Sequence, residues 1–305
     1  MCAVTTREKQ TVRIQFGEVC CALDCRDVDV FERLRDSFNV FLSNQPIDIT
    51  VELNLVDRLD RKTLDTVPSH NFGLPHEKLE ISGDHAYHVE FDAANRRLLA
   101  IAERSIFNTA FALRSLNKLL LLVYYTASRL KRPGTPPWML VHSCGILRKG
   151  QVLLFAGPCE TGKTTIARLC SEDFGLPLND EMMSLSWPRP EDYGLLAQSA
   201  PIFGELPFRA NTVAPLSSVF LLKQSQRTVL RRLGRMEAYL RFLHQVVSPA
   251  GFNNHDTRTT ISIMDSFANV VTGTTPFFEL EFTRDRDLLW DVEARLKELI
   301  LRGIK

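Results

Sequence analysis

The feature that most constrains this 305-residue chain is a glycine-rich segment between a strand-like run and a helix-like run. The run QVLLFA, residues 151–156, is almost wholly apolar, as expected of a strand in a sheet covered on both faces. GPCETGKT, residues 157–164, follows it and fits the phosphate-loop pattern GxxxxGK[ST], and the helix-like IARLC comes next. Strand, loop and helix in this order predict an α/β domain that binds a nucleoside triphosphate with magnesium.

The residues of this loop have separate expected roles. Gly157 and Gly162 let the backbone pass close to phosphate oxygens, while successive N–H groups and the helix N-terminus supply positive charge. Lys163 is expected to reach the β and γ phosphates, and the Thr164 hydroxyl is expected to ligate Mg²⁺. The alternative is a glycine-rich turn between core elements. The predicted nucleotide-binding residues are Gly157, Pro158, Cys159, Glu160, Thr161, Gly162, Lys163, Thr164 and Thr165.

Composition limits the possible partners and setting. A net charge of +1 gives no overall field that would attract nucleic acid or an anionic membrane. The most apolar run, residues 119–125, is too short to span a bilayer. Seven cysteines without paired CxxC motifs favour a reducing cytoplasm over a disulfide framework or a zinc site. The chain is therefore expected to be cytoplasmic, with neither a nucleic acid nor a membrane as partner.

Two domains are predicted, residues 1–132 and 133–305, divided at the breaker cluster KRPGTPP. The first has an α+β pattern, with helices expected at 28–42 and 105–129 and strands at 11–16, 47–55, 79–82, 86–91 and 97–101. In the second, strands are expected at 139–147, 151–156, 176–179, 217–222 and 277–282. Helices are expected there at 164–174 and 285–301, together with a basic amphipathic helix at 223–247.

An acidic pair follows the loop at the end of a short expected strand. Asp180 and Glu181 come directly after residues 176–179, and strand ends beside a phosphate loop are where an open α/β sheet places its chemistry. A carboxylate there can position magnesium or take the proton from an acceptor hydroxyl. A solvated acidic turn is the alternative.

The segment VHSCGILRKGQVLLFAGPCETGKTTIARL, continued by LPLNDEMMSL, resembles the catalytic domain of the HPr serine kinase/phosphorylase family. The resemblance implies an α/β fold: a P-loop kinase domain of the HPr kinase C-terminal/phosphoenolpyruvate carboxykinase-like type, preceded by a smaller α+β domain. That family places a histidine before the loop, a lysine and a hydroxyl within it, and an acidic pair after it. The matching residues are His142, Lys163, Thr164, Asp180 and Glu181.

The resemblance also implies roles for these residues. Asp180 would be the general base on a seryl hydroxyl, His142 would orient it, and Lys163 with Mg²⁺ would neutralise the γ-phosphate of ATP. Glu205 would help to bind magnesium, with Thr164 and Glu181 as further metal contacts. Relatives often assemble from several copies, so a homo-oligomer is also implied.

The resemblance covers residues 138–225 and departs from the family in three features. Glu181 stands where the family has an aspartate, and neither the family's glycine-rich signature nor its late arginine-containing loop is found. HPr is therefore not the expected substrate; the expected acceptor is serine of a peptide or small protein, with a small molecule as an alternative. Arg258, in the segment 248–258, is a candidate phosphate clamp. The rival functions are a regulatory ATP-binding or ATPase switch without a phosphoacceptor and a nucleotide-free scaffold.

Overall fold

A computed structural model describes residues 8–59, 76–82, 85–92, 94–107, 112–131, 138–186, 194–207, 210–247, 268 and 275–301. They form two compact units that combine α-helices with β-sheets. The first contains the described residues up to 131 together with Pro201–Phe203, and the second contains the others. The predicted boundary after residue 132 falls within 132–137, outside the described residues, and no sequence pattern predicted that Pro201–Phe203 would group with the first unit.

The first unit is built on a six-stranded sheet. Its strands are β1 (Gln10–Phe16), β2 (Val19–Cys25), β3 (Ile49–Val56), β4 (His76–Ser82), β5 (His85–Asp92) and β6 (Arg97–Glu103). Their order is β1-β2-β3-β6-β5-β4, in which β2, β3 and β6 are parallel and the other pairings antiparallel. Two helices, α1 (Val28–Ser37) and α2 (Leu116–Lys131), complete this α+β unit.

Strand β2 is the element of this sheet that no sequence pattern predicted. All seven residues of VCCALDC are buried, so the strand lacks the alternation of apolar and polar residues that marks a half-buried strand. Its one charged residue, Asp24, accepts a hydrogen bond from Thr11 (2.7 Å) and pairs with Lys9 (2.6 Å). Burial raises the pKa of the thiols of Cys21 and Cys25, which disfavours the reactive thiolate form.

The two helices start later or end earlier than their apolar periodicity predicted. Helix α1 is capped by Asp27, whose carboxylate accepts the backbone N–H of Val30 (3.1 Å), and it ends at Ser37. Helix α2 follows two 3₁₀ turns in place of one continuous helix from residue 105. It packs on the sheet through Tyr124, whose ring centroid lies 4.3 Å from that of Phe16.

The second unit is built on a nine-stranded mixed sheet. Its strands are β7 (Trp138–Arg148), β8 (Gln151–Ala156), β9 (Leu176–Asn179), β10 (Met182–Ser186), β11 (Leu196–Ser199), β12 (Val213–Gln224), β13 (Val229–Arg232), β14 (Val246–Val247) and β15 (Phe277–Phe282). The main order is β11-β10-β7-β8-β12-β15-β13, and β9 and β14 also pair with β7. The helices are α3 (Lys163–Leu169), α4 (Arg235–Leu243) and α5 (Leu288–Leu301).

Strand β8 has both faces covered, as its apolar sequence predicted. On one face Val152 and Leu154 belong to a core that includes α4. On the other face Leu153 and Phe155 belong to a core that includes α3 and α5. Because β8 also has β7 and β12 as neighbours, it is an interior strand, and the chain leaves it directly into the glycine-rich loop.

The predicted basic helix at 223–247 is wrong, because only residues 235–243 of it are α-helical. Strand β12 continues to Gln224, and Val229–Arg232 form β13, which pairs antiparallel with β15. Pairing with β15 satisfies the backbone groups on one side of this segment, and Arg231 reaches Glu279 on that neighbour (3.1 Å) and Glu237 on α4 (2.7 Å). A sequence pattern cannot show a partner strand that begins about 50 residues later.

Helix α3 ends at Leu169, so the predicted helix at 164–174 is too long. Ser171–Phe174 instead form a turn, in which the backbone N–H of Phe174 donates to the carbonyl oxygen of Ser171 (3.0 Å). In the described part of the chain, no helix combines the length and the apolar character needed to cross a bilayer.

Candidate active site

The loop between β8 and α3 contains two residues with left-handed backbone angles. Glu160 and Gly162 have positive φ angles of 66° and 107°. Where left-handed residues alternate with ordinary ones, successive N–H groups turn towards one side and can surround an anion. A positive φ is uncommon outside glycine, and strained backbone of this kind clusters at ligand-binding sites.

Both glycines of the loop pattern are required by close approach. A Cβ atom at Gly157 would lie 2.5 Å from the Thr161 hydroxyl oxygen, and one at Gly162 would lie 2.6 Å from the Phe282 ring. Both distances are far below a normal contact, so any larger residue at either position would displace the loop. The glycines at these two positions of the sequence pattern therefore have a structural reason in this chain.

Side-chain hydrogen bonds hold the loop at two further points. The Thr161 hydroxyl donates to the carbonyl oxygen of Pro158 (2.7 Å), which closes the turn at the start of the loop. Gln224, at the end of β12, donates from Nε2 to the carbonyl oxygen of Glu160 (2.6 Å). The second bond ties the strained residue of the loop to the neighbouring strand of the sheet.

Lys163 lies inside the loop with 6% of its surface exposed. Its Nζ donates to the carbonyl oxygens of Gly157 (2.9 Å) and Pro158 (2.8 Å). An ammonium group has three donors, and the acceptors found for it among the described residues occupy two of them. Burial lowers the pKa of Lys163, while the carboxylates of Glu181 and Asp180 act in the opposite direction.

Asp180 is brought to the loop by strand β9, which ends one residue earlier. Its carboxylate is 3% exposed, and Oδ2 accepts a hydrogen bond from the Thr164 hydroxyl (2.9 Å). The backbone N–H groups of Glu205 and Leu206 donate to Oδ2 (3.2 Å) and Oδ1 (3.3 Å). The structure thus brings together the loop hydroxyl and the first acidic residue that the sequence singled out separately.

Asn179 fixes the turn that carries the acidic pair. Its Oδ1 accepts the backbone N–H groups of Glu181 (2.7 Å) and Met182 (2.9 Å). Its Nδ2 donates to the carbonyl oxygen of Ala200 (2.8 Å), at the end of β11. The side chain is 6% exposed, so these bonds replace water for a buried amide.

His142 approaches the second acidic residue of the pair. Its Nε2 lies 3.5 Å from Oε1 of Glu181, and its backbone N–H donates to the carbonyl oxygen of Gln245 (2.8 Å). Burial, with a smaller contribution from the charge of Lys163, lowers the pKa of His142 to about 4. The imidazole is therefore neutral at pH 7, and its contact with Glu181 is that of a neutral ring with a carboxylate.

The depressed pKa of His142 predicts a specific pH dependence of stability. Between its ordinary pKa of 6.5 and the folded value of about 4, the unfolded chain binds more protons. The free energy of unfolding should therefore fall as the pH is lowered through this window, by on the order of 3 kcal/mol from His142 alone. Urea unfolding of wild type and His142→Gln across this range measures the difference, and parallel pH profiles would contradict it.

The predicted magnesium ligand Glu205 lies next to the site but is paired elsewhere. Its carboxylate lies 2.8 Å from the guanidinium of Arg168 on α3, and both side chains are more than half exposed. Its backbone N–H, and not its carboxylate, contacts Asp180. A role for the Glu205 carboxylate as a metal ligand would require it to leave Arg168, and that role stays a prediction.

The side chains of the remaining predicted residues are more exposed. Pro158, Cys159 and Glu160 are exposed at the tip of the loop, and Thr165 is half-buried on α3. Arg258 and the rest of segment 248–258 lie outside the described residues.

Three residues of the site escaped sequence reasoning. Asn179 had a usable signal, because asparagine before an acidic pair is typical of a side-chain-capped turn. Gln224 and Gly204 had no such signal in the sequence. Gln224 binds the carbonyl oxygen of Glu160, 64 residues earlier, and Gly204 lies against the side chain of Asp180.

The chain was also compared with known proteins. No protein-family model matches it, and no curated protein matches it either.

Proposed function

We propose that this chain is an ATP- and Mg²⁺-dependent kinase that transfers the γ-phosphoryl group to a hydroxyl, with serine of a peptide or small protein as acceptor. The observation that carries the proposal is the 2.9 Å hydrogen bond between the Thr164 hydroxyl and the Asp180 carboxylate. It joins a hydroxyl of the glycine-rich loop to a buried acid close to Lys163, and a lysine, a hydroxyl and a carboxylate are recurring parts of phosphoryl-transfer sites.

The finer fold assignment is part of the same proposal. We infer a P-loop kinase domain of the HPr kinase C-terminal/phosphoenolpyruvate carboxykinase-like type for the second unit. Its support is the order of β8, loop and α3, with β8 in the interior of the sheet. His142 on β7 and Asp180 after β9 are further support, because the resemblance implies a histidine before the loop and an acidic residue after it.

The chemistry of the side chains fits magnesium bound together with a triphosphate. The Thr164 hydroxyl offers a hard oxygen ligand of the kind that Mg²⁺ prefers. Among the residues the structure describes, no three His, Cys, Asp or Glu side chains are grouped to hold a metal ion by themselves. Mg²⁺ in phosphotransfer sites takes one or two protein carboxylates and completes its shell with phosphates and water, so a small protein contribution suffices. Glu181 and Glu205 are the proposed additional contacts.

In the proposed reaction the protein residues bind, orient and accept a proton. Bound Mg²⁺ would neutralise charge on the phosphates. Lys163 binds a phosphate oxygen through an N–H that does not donate to a loop carbonyl oxygen. Asp180 takes the proton of the acceptor hydroxyl as that oxygen bonds to the γ-phosphorus and the bond from phosphorus to the ADP oxygen breaks. His142 supports the acidic pair through its contact with Glu181.

One observation also suits a second function. A carboxylate hydrogen-bonded to the loop hydroxyl is well placed to position magnesium, and a regulatory ATPase switch needs that role without any acceptor. Kinase and switch therefore share the nucleotide site and differ in the fate of the γ-phosphate.

The fate of the γ-phosphate separates these functions. Purified protein is incubated with a cell lysate and ATP labelled at the γ-phosphate, with Lys163→Met in parallel as a control for contaminating kinases. Stable label on a peptide or protein that requires wild-type enzyme is the expected result. Release of inorganic phosphate alone would support the switch. If ATP with Mg²⁺ does not raise the melting temperature, both ATP-dependent functions are contradicted.

A further inference from the structure

The backbone of residues 204–206 lies directly against the carboxylate of Asp180. The N–H of Glu205 donates to Oδ2 and the N–H of Leu206 donates to Oδ1. With the Thr164 hydroxyl on Oδ2, three donors converge on one buried side chain. The two backbone donors cannot rotate as a side chain can, so they hold the plane of the carboxylate in one orientation.

The fixed orientation of the Asp180 carboxylate also determines which of its acceptor positions stay open. A carboxylate has about four acceptor positions, two on each oxygen. Among the residues that the structure describes, Oδ2 of Asp180 accepts two donors and Oδ1 accepts one. One position on Oδ1 therefore remains for a further donor such as an acceptor hydroxyl. A rotation of the carboxylate would change which oxygen meets that hydroxyl.

Gly204 is the residue that permits the backbone to come this close. A Cβ atom at position 204 would lie 2.1 Å from Oδ1 and 2.8 Å from Cγ of Asp180. The backbone of Gly204 is not in the left-handed region, so an alanine could adopt its conformation and the obstacle is space alone. Any side chain here must push away either the carboxylate or the segment 204–206.

We propose that residues 204–206 form a backbone clamp that positions the Asp180 carboxylate, and that Gly204 is a positioning residue of the site. The catalytic consequence rests on the function proposed above, in which this carboxylate accepts the proton. The clamp itself is a physical coupling between Gly204 and Asp180 that exists whatever the reaction.

The catalytic consequence is tested with Gly204→Ala. A displacement of a catalytic group by about 1 Å can cost about 100-fold in rate, so kcat should fall by about that factor while the KM for ATP changes little. Gly194→Ala is the matched control, because no atom of the described residues lies within 4 Å of a Cβ there, and it should retain wild-type kcat. An unchanged kcat in Gly204→Ala, or a loss confined to KM, would overturn the positioning role.

The clamp itself is tested by thermal unfolding of wild type, Gly204→Ala, Asp180→Ala and the double variant. Gly204→Ala should lower the melting temperature by about 5 °C in the wild-type background. It should have little effect in the Asp180→Ala background, because the two clashing atoms are gone and Cβ of Glu181 at 3.2 Å is the nearest neighbour left. If Gly204→Ala alone does not fold, the double variant should.

The clamp and the proposed function can be contradicted independently of each other. Equal losses in both backgrounds, or a double variant that does not fold, would overturn the clamp. Absence of phosphoryl transfer by wild type, with the coupling in melting temperature intact, would overturn the proposed function and leave the clamp standing.

Discussion

Replacing Lys163 with methionine is expected to weaken ATP binding about 100-fold, a loss of about 2.8 kcal/mol. Methionine keeps the buried apolar stem and removes the ammonium that bridges the carbonyl oxygens of Gly157 and Pro158. The loss has two physical sources: the charged hydrogen bond to a phosphate oxygen disappears, and the loop is no longer held from within.

Titration calorimetry with ATP and Mg²⁺ measures this loss directly, and thermal unfolding provides a second reading. At an ATP concentration of about 100 times the wild-type Kd, binding should stabilise wild type by about 2.7 kcal/mol and the variant by about 0.4 kcal/mol. Lys149→Met is the control, because Lys149 is exposed and pairs with Glu293 at the end of β8 opposite to the loop. Equal ATP affinity in wild type and Lys163→Met would remove the loop from the proposed function.

Replacing Asp180 with asparagine is expected to reduce phosphoryl transfer about 1000-fold while leaving ATP binding nearly intact. An amide cannot accept the proton of the acceptor hydroxyl. It also turns one of the two oxygens into a donor, which then faces the Thr164 hydroxyl or a backbone N–H of residues 205–206. A modest fall in melting temperature should accompany the loss of transfer, because a buried donor is left without an acceptor.

Transfer of labelled phosphate to the acceptor found in the lysate, measured at several Mg²⁺ concentrations, distinguishes the two roles of Asp180. A proton acceptor is not replaced by more magnesium, whereas a residue that positions the ion is replaced in part. Asp173→Asn removes the same charge from an exposed side chain and should transfer phosphate at the wild-type rate. Full transfer by Asp180→Asn would exclude Asp180 as the general base.

Local patterns predicted the parts of this fold that local forces decide. Strands β8, β9 and β15 have the predicted bounds, because apolar content and flanking turn residues mark a buried strand within its own sequence. The glycines of the loop were recognisable because their backbone requirement is tied to their position in the pattern. Both kinds of signal act over fewer than about ten residues.

Patterns failed where a distant partner decides the structure. Strand β2 lies between β1 and β3 and all its residues are buried, so it lacks alternation. Its Asp24 suggests an exposed position in the sequence, but Thr11 and Lys9 bind the buried carboxylate. The segment 229–232 is a strand because β15 offers it a free edge, although its apolar spacing also suits a helix. Pairing partners of this kind are set by topology and not by propensity.

The sequence by itself determined that a glycine-rich loop lies between an apolar strand and a helix, because glycine geometry and apolar periodicity are local properties. Only the tertiary structure decided what surrounds that loop. Thr164 binds Asp180, which lies 16 residues later in the sequence. The backbone of residues 204–206, another 24 to 26 residues later, contacts the same carboxylate. These contacts form because strands β9 to β11 bring the segments before and after them close together. Packing of the whole sheet holds the strands in that arrangement.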